Sequence, residues 1–208
     1  MTGSVTLVGA GPGDPELLTF KAARAIGRAT VLLVDDLVGD GVLAFANPAA
    51  RIIFVGKRGG CASTPQAFID KLMLAEALKG ETVVRLKGGD PFMFGRGGEE
   101  AAHLRAQGIE VEIVNGITAG IAAATALGAP LTHRDHAHGV IFVTGHPREH
   151  GAAPDWPVIA AAAGEGLTMV IYMGIAGVQA LQDGLLSALP ATTPVAVVQH
   201  ASLPTERR

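Results

Sequence analysis

Short runs of Val, Ile and Leu alternate with stretches of helical spacing along most of this 208-residue chain. The apolar runs fall at 5–9, 30–34, 51–55, 82–86, 110–114, 139–144, 167–172 and 194–199, and each reads as a strand. The segments 15–28, 40–46, 65–79, 97–107, 118–127, 155–163 and 174–188 read as helices. The strand runs are nearly continuous rather than alternating with polar residues. Strands covered on both faces look this way, so the pattern predicts α/β layers with mostly parallel sheets. Asp14-Pro15-Glu16 and Thr64-Pro65-Gln66 each read as a helix cap followed by proline at the first helical position. The loop THRDHAHG, 132–139, breaks the rhythm after five strands. The chain therefore divides into an N-terminal α/β domain, 1–115, and a C-terminal α/β domain, 116–208.

Ligands of open α/β sheets sit beyond the carboxyl ends of the strands. The segments in that position are GAGPGDP, DDLVGD, GKRGG, KGGDPFMFGRGG, NGITAG, MGIAG and HAS, and most carry at least two glycines. Without a Cβ, glycine lets the backbone come close to a ligand. The expectation is one large site assembled from many loops.

Composition narrows the class. Hydrophobic residues make up 49% and charged ones 17%, which permits a well-buried core, and aromatics at 4% leave that core to aliphatic side chains. A net charge of -3 argues against a general nucleic-acid or polyanion binder. The single cysteine, Cys61, excludes an internal disulfide framework and fits a reducing cytosol. The first apolar run has no basic region before it, and no apolar run reaches the ~20 residues of a membrane span. A cytoplasmic protein without membrane or nucleic-acid partners is expected.

The first loop invites a dinucleotide reading, with Asp35 after the second strand as the ribose-binding acid. The fingerprint fails in detail, because Asp14 stands where the third glycine belongs and would face a pyrophosphate. Pro12 also removes a backbone donor. A nucleoside without phosphates suits the loop better, and S-adenosylmethionine is one: its sulfonium is cationic and needs no anion cradle. His133, His136 and His138 have a spacing that could gather a cation, but no cysteine or carboxylate array completes it, and no metal is expected.

The stretches VGAGPGDPELLT, VDDLV, VGKRGG, VVRLKGGDPFMFGRGGEE, GITAG and PLTHRD…VTGH, in this order, resemble the tetrapyrrole methylases. Within that family they are most similar to the branch that methylates uroporphyrinogen III on carbon, giving precorrin-2 in two rounds. The resemblance covers essentially the whole chain. It implies two α/β domains with S-adenosylmethionine in the cleft between them, a homodimer, and S-adenosylhomocysteine as coproduct. It assigns cofactor contacts to Pro12, Gly88, Gly89, Asp90, Met93, Thr118, Ala119, Met173 and Ala201. Asp35 matches a proton acceptor and Lys57 a proton donor. Val34 replaces the family's usual Tyr, Asp36 a usual Arg, and Asn115 a frequent Pro, and the chain ends at Arg208, short of the family's usual last strands. A methylase of a later precorrin, or a non-catalytic paralogue or fragment that binds the cofactor, are the alternatives.

The implied substrate is an anionic macrocycle whose pyrrole carbons are enamine-like nucleophiles, and the methyl sulfonium is already activated, so no metal is needed. Lys57, Arg58, Lys87, Arg96, His133 and Arg134 are the cations in loops on the ligand edge, and Arg96, His133 and Arg134 are the expected substrate contacts.

Overall fold

The computed structural model describes residues 2–56, 64–146 and 154–208. They form two compact units, Met1–Ala122 with His200–Arg207, and Ala123–Gln199 with Arg208. The first unit thus includes residues 116–122 and a late segment, both of which the sequence pattern places in the second domain.

In the first unit, β1 (Ser4–Gly9), β2 (Val31–Val34), β3 (Arg51–Phe54), β4 (Thr82–Lys87) and β5 (Val111–Val114) make one sheet in the order β3-β2-β4-β1-β5. Every pairing is parallel, as the apolar runs imply. Alternate residues serve opposite faces. Val5, Leu7, Val31, Leu33 and Val83 pack with Ile69, Met73 and Ala77 of α2 (Gln66–Leu78) and Ala101 and Leu104 of α3 (Gly97–Ala106). Val8, Leu32, Val34, Val84 and Leu86 pack with Ala22 and Ile26 of α1 (Phe20–Arg28). Burial of a side chain this size contributes about 1.5–3 kcal/mol, and its presence on both faces explains why the strand runs lack polar alternation.

The second unit holds a two-stranded parallel sheet of β6 (Gly139–Thr144) and β7 (Leu167–Tyr172). The helix α4 (Ala119–Leu127) precedes it, and α5 (Trp156–Gly164) and α6 (Val178–Leu186) pack on each other within it. Asp155 caps α5 by accepting from the Val158 amide at 3.2 Å. Trp156 is buried against Gly184, where an added Cβ would lie 3.0 Å from the indole Cγ.

Several elements differ from the sequence pattern. The expected helix 15–28 is broken: Asp14 caps a 3-10 turn, Pro15–Leu17, and Thr19 then caps α1 by accepting from the Ala22 amide at 3.1 Å. The 40–46 helix is a 3-10 segment, Asp40–Phe45, and the start of 174–188 is a 3-10 turn, Ile175–Gly177. Thr64 does not cap α2; Pro65 holds that position and has no side-chain acceptor to offer. The expected strand at 194–199 forms no ladder among the described residues. Its Val195 and Val197 are 79% and 55% exposed, so the apolar pattern there marks no buried face.

One ion cluster predicts a pH response. Glu76 of α2 is buried and accepts from Lys79 Nζ at 2.7 Å and from the Arg51 guanidinium. The Lys79 bond first, and the Arg51 bond with it, hold the Glu76 carboxyl below the usual carboxylate range. A depressed carboxyl contributes stability that is present above its unfolded pKa and lost as pH falls through its folded one. Glu76→Gln should therefore cost about 1–3 kcal/mol near neutral pH, and urea melts of variant and wild type should converge in acid. A gap that persists at low pH would contradict this assignment.

Candidate functional site

Parallel pairing brings the carboxyl ends of all five strands to one edge of the first sheet. From β1 the chain crosses β4 to reach β2, through α1 on one face. From β4 it crosses β1 to reach β5, through α3 on the other. The chain therefore departs in opposite directions from two adjacent central strands, which is where an open α/β sheet offers a crevice.

Glycines line the sheet edge at this switch point. Gly11 and Gly89 bridge it backbone to backbone, with N–H···O distances of 3.2 and 2.7 Å, at φ of 73° and 65°. An added Cβ on Gly9 would stand 2.7 Å from both Gly116 Cα and the Gly89 carbonyl oxygen. An added Cβ on Gly88 would stand 2.6 Å from Leu37 Cβ. Much of the glycine content thus lets the loops after β1, β2, β4 and β5 touch one another. Loop-to-loop packing is thus a second use of these glycines, beside the close approach to a ligand expected from the sequence.

Asp90 locks the same loops. Its Oδ1 accepts from the Phe92 amide at 2.8 Å, and its Oδ2 accepts from Asn115 Nδ2 and the Gly116 amide, both at 3.1 Å. The carboxylate thus ties the loop after β4 to the loop after β5, with Asn115, marked in the sequence only as standing in place of a frequent Pro, as a side-chain partner. Met93 closes the turn, its amide donating to the Asp90 carbonyl at 3.3 Å. Thr118 is buried, and its Cα lies 3.6 Å from where a Gly89 Cβ would be; Ala119 beside it is exposed and begins α4.

The loop after β1 receives the late segment. Ser202 Oγ accepts from the Asp14 amide at 3.2 Å, and the Leu203 side chain fills the space that a Gly13 Cβ would need. Ala201 is buried at this junction, and Pro12 lies half-buried on the loop. An open cavity of ≈ 570 Å³ lies beside it, lined by residues 13–15, 39–41 and 202–204. None of the residues assigned from the sequence lines that cavity. The switch point, where six of them converge, is the better candidate on geometry.

Beneath the edge lies a charge cluster. Asp35, just past β2, pairs with Arg85 of β4 at 3.4 Å, and Arg85 pairs in turn with Glu100 of α3 at 3.4 Å. Lys87 donates to the same Glu100 oxygen at 3.0 Å, as does Gln66 at 2.9 Å. Lys87 is 4% exposed, so it is not an arm for an external anion. Burial pushes its ammonium below the usual lysine range and Arg85 adds repulsion, while Glu100 and Asp35 pull the other way.

Arg96 is exposed, left-handed at φ 59°, and holds Glu99 through Nε at 3.0 Å and Nη2 at 2.6 Å. With Pro91, Phe92 and residues 97–99 it lines a concavity of ≈ 270 Å³. Phe92 is 54% exposed there. In the second unit Met173 follows β7 at φ 55° and is 55% exposed. His133 and Arg134 are exposed in a tight turn, where His133 Nδ1 accepts from the Asp135 amide at 3.1 Å and its ring stacks on His136. Lys57, Arg58 and Cys61 lie outside the described residues. Among the described residues no group of three or more His, Cys, Asp or Glu is placed to hold a metal.

The model of the tetrapyrrole (corrin/porphyrin) methylases matches residues 4–208. A uroporphyrinogen-III C-methyltransferase of Pseudomonas aeruginosa is 53% identical over the whole chain, which spans 83% of that protein. A Pseudomonas fluorescens protein of the same name is 51% identical, with 82% of its length spanned. Among solved structures, a uroporphyrin-III C-methyltransferase of Thermus thermophilus, complexed with S-adenosyl homocysteine, is 42% identical with a TM-score of 0.80, over 99% of this chain and 81% of that one.

Proposed function

We infer the activity from one premise, that this chain belongs to the tetrapyrrole (corrin/porphyrin) methylases. It is an S-adenosylmethionine-dependent C-methyltransferase that converts uroporphyrinogen III to precorrin-2 by two successive methylations. The observation that carries this reading is identity above half, over the whole of this chain, to a uroporphyrinogen-III C-methyltransferase.

The loops fit such a cofactor. Asp14 already occupies the first helical turn, accepting from the Glu16 amide at 2.9 Å, so a phosphate would meet a carboxylate there. A cationic sulfonium has no such conflict. Pro12, Gly88, Gly89, Met93, Thr118, Ala119, Met173 and Ala201 would hold it through backbone groups and small or apolar side chains. Asp90 would contact it as well as fix the loops, since its Oδ1 accepts a single hydrogen bond and keeps acceptor capacity. S-adenosylmethionine supplies a methyl group already activated by the sulfonium. The chain's own task is to align the reacting carbon, which can contribute about 7–11 kcal/mol in favourable cases, and to move a proton. Asp35 accepts the proton that leaves the ring, and Lys57 acts as donor. The reading includes a homodimer working in the cytoplasm; among the described residues no helix is long and apolar enough to cross a membrane.

Arg96, His133 and Arg134 would bind the substrate's carboxylate arms. Arg134→Gln and Arg96→Gln should each raise the KM for uroporphyrinogen III by about tenfold, as expected for loss of one charge-assisted pair. The Kd for S-adenosylhomocysteine by calorimetry should stay within about twofold, because these cations serve the anion. Equal loss of both affinities would contradict the division of labour.

A methylase of a later precorrin is the second reading. A cobalt precorrin-4 methyltransferase structure superposes with a TM-score of 0.83, at 29% identity. Offering labelled S-adenosylmethionine with uroporphyrinogen III and, separately, with cobalt precorrin-4 tests the choice. Label should enter the first alone; label in the second alone would overturn the reading.

A further inference from the structure

We propose that Arg85 is a positioning residue for Asp35, a buried guanidinium anchored by Glu100 that fixes the Asp35 carboxylate at the sheet edge. The proposal rests on the reading of Asp35 as proton acceptor.

Strand alternation puts Arg85 on the face it shares with Val83 and with Leu33 of β2, and Asp35 continues that face beyond the end of β2. Arg85 is 2% exposed, and all three guanidinium nitrogens are engaged. Nε meets Glu100 Oε1 at 3.4 Å, Nη1 donates to the Leu86 carbonyl at 3.1 Å, and Nη2 meets Asp35 Oδ2 at 3.4 Å. The plane is therefore held at three points, only one of which faces outward. The other Asp35 oxygen accepts from the Asp36 amide at 3.0 Å, so both carboxylate oxygens are oriented. Glu100 is fully buried, and its Oε1 takes Arg85, Lys87 and Gln66.

This arrangement is poorly built for stability alone. Buried ion clusters often contribute less than apolar packing of the same volume. Here one Glu100 oxygen carries three donors while Oε2 has no hydrogen-bond partner among the described residues. The cluster reaches solvent through Asp35, whose side chain is 31% exposed. What the network delivers outward is one oriented carboxylate.

A mutant cycle in the full chain tests this. Arg85→Met leaves Lys87 and Gln66 to hold Glu100. It should lower kcat by up to about a hundredfold, the scale of a misplaced catalytic group, with the S-adenosylhomocysteine Kd and the uroporphyrinogen III KM nearly unchanged. The double variant Asp35→Asn/Arg85→Met should be no slower than Asp35→Asn alone. A purely structural Arg85 would instead multiply the two losses, and that result would overturn the proposal. Arg85→Met at the wild-type rate, with Asp35→Asn slow, would also overturn it. Asp35→Asn at the wild-type rate would remove the premise and the proposal together. Should Arg85→Met fail to fold, Arg85→Lys keeps the charge without the planar fork and enters the same cycle with the same readout.

Discussion

Gly116→Ala should destabilise the chain by about 3 kcal/mol or more, the upper range for overpacking, and abolish cofactor binding with it. The added methyl would fall on the Gly89 carbonyl oxygen and lie 2.8 Å from Gly9 Cα. These neighbours are backbone, so no rotamer change relieves the clash. Both belong to central strands or their bridge, so moving them strains the Gly11–Gly89 pairing as well. The Gly116 amide would also be displaced from Asp90. Gly98→Ala is the matched control. Its Cβ meets nothing within 4 Å, and Gly98 lies within α3, where alanine is favoured over glycine by up to about 1 kcal/mol. Thermal melts and calorimetry with S-adenosylhomocysteine should show loss of both properties in Gly116→Ala and neither in Gly98→Ala. A Gly116→Ala protein as stable as wild type would contradict the loop-to-loop packing.

Asp35→Asn should lower kcat by about a hundred- to ten-thousandfold, the usual contribution of a positioned general base. The change is nearly isosteric, and its one oxygen can still face Arg85, at the loss of the hydrogen bond that Asp35 accepts from the Asp36 amide. Its consequence should thus fall on proton removal, not on binding. The S-adenosylhomocysteine Kd should hold, and stability should change little because Asp35 is partly exposed. Single-turnover methylation separates the possibilities. A slow chemical step with normal binding supports Asp35 as acceptor, and a normal step shows that another group takes the proton.

The sheet was readable because its central strands β1, β2 and β4 are buried on both faces. Val31 to Val34 is an unbroken aliphatic run, and Val5 to Val8 is broken only by the buried Thr6. The helix boundary near Thr19 was also written in the sequence, as a threonine directly before Phe20. The continuous periodicity of 15–28 masked it, because a 3-10 turn and an α-helix share apolar spacing over a few residues. The PVAVVQ segment has strand composition, but whether a sheet edge exists to receive it is a tertiary fact.

The site was legible as loops and partly illegible as contacts. Glycine content located the edge, yet could not tell a ligand from another loop as the thing approached. Arg85 and Glu100 carried a signal that composition hides. Arg85 stands at the buried phase of its strand, two residues beyond Val83. Glu100 falls with Gly97, Ala101 and Leu104 on the buried stripe of α3. Charged residues in apolar phase mark an internal pair, and these two are each other's partners.

The most direct measurement is the mass of the tetrapyrrole after the chain has been incubated with S-adenosylmethionine and uroporphyrinogen III under reducing conditions. The account predicts a product heavier by two methyl groups, with S-adenosylhomocysteine formed in twofold amount. An unchanged tetrapyrrole, from a folded protein that still binds S-adenosylhomocysteine, would contradict it and leave a cofactor-binding protein without this reaction.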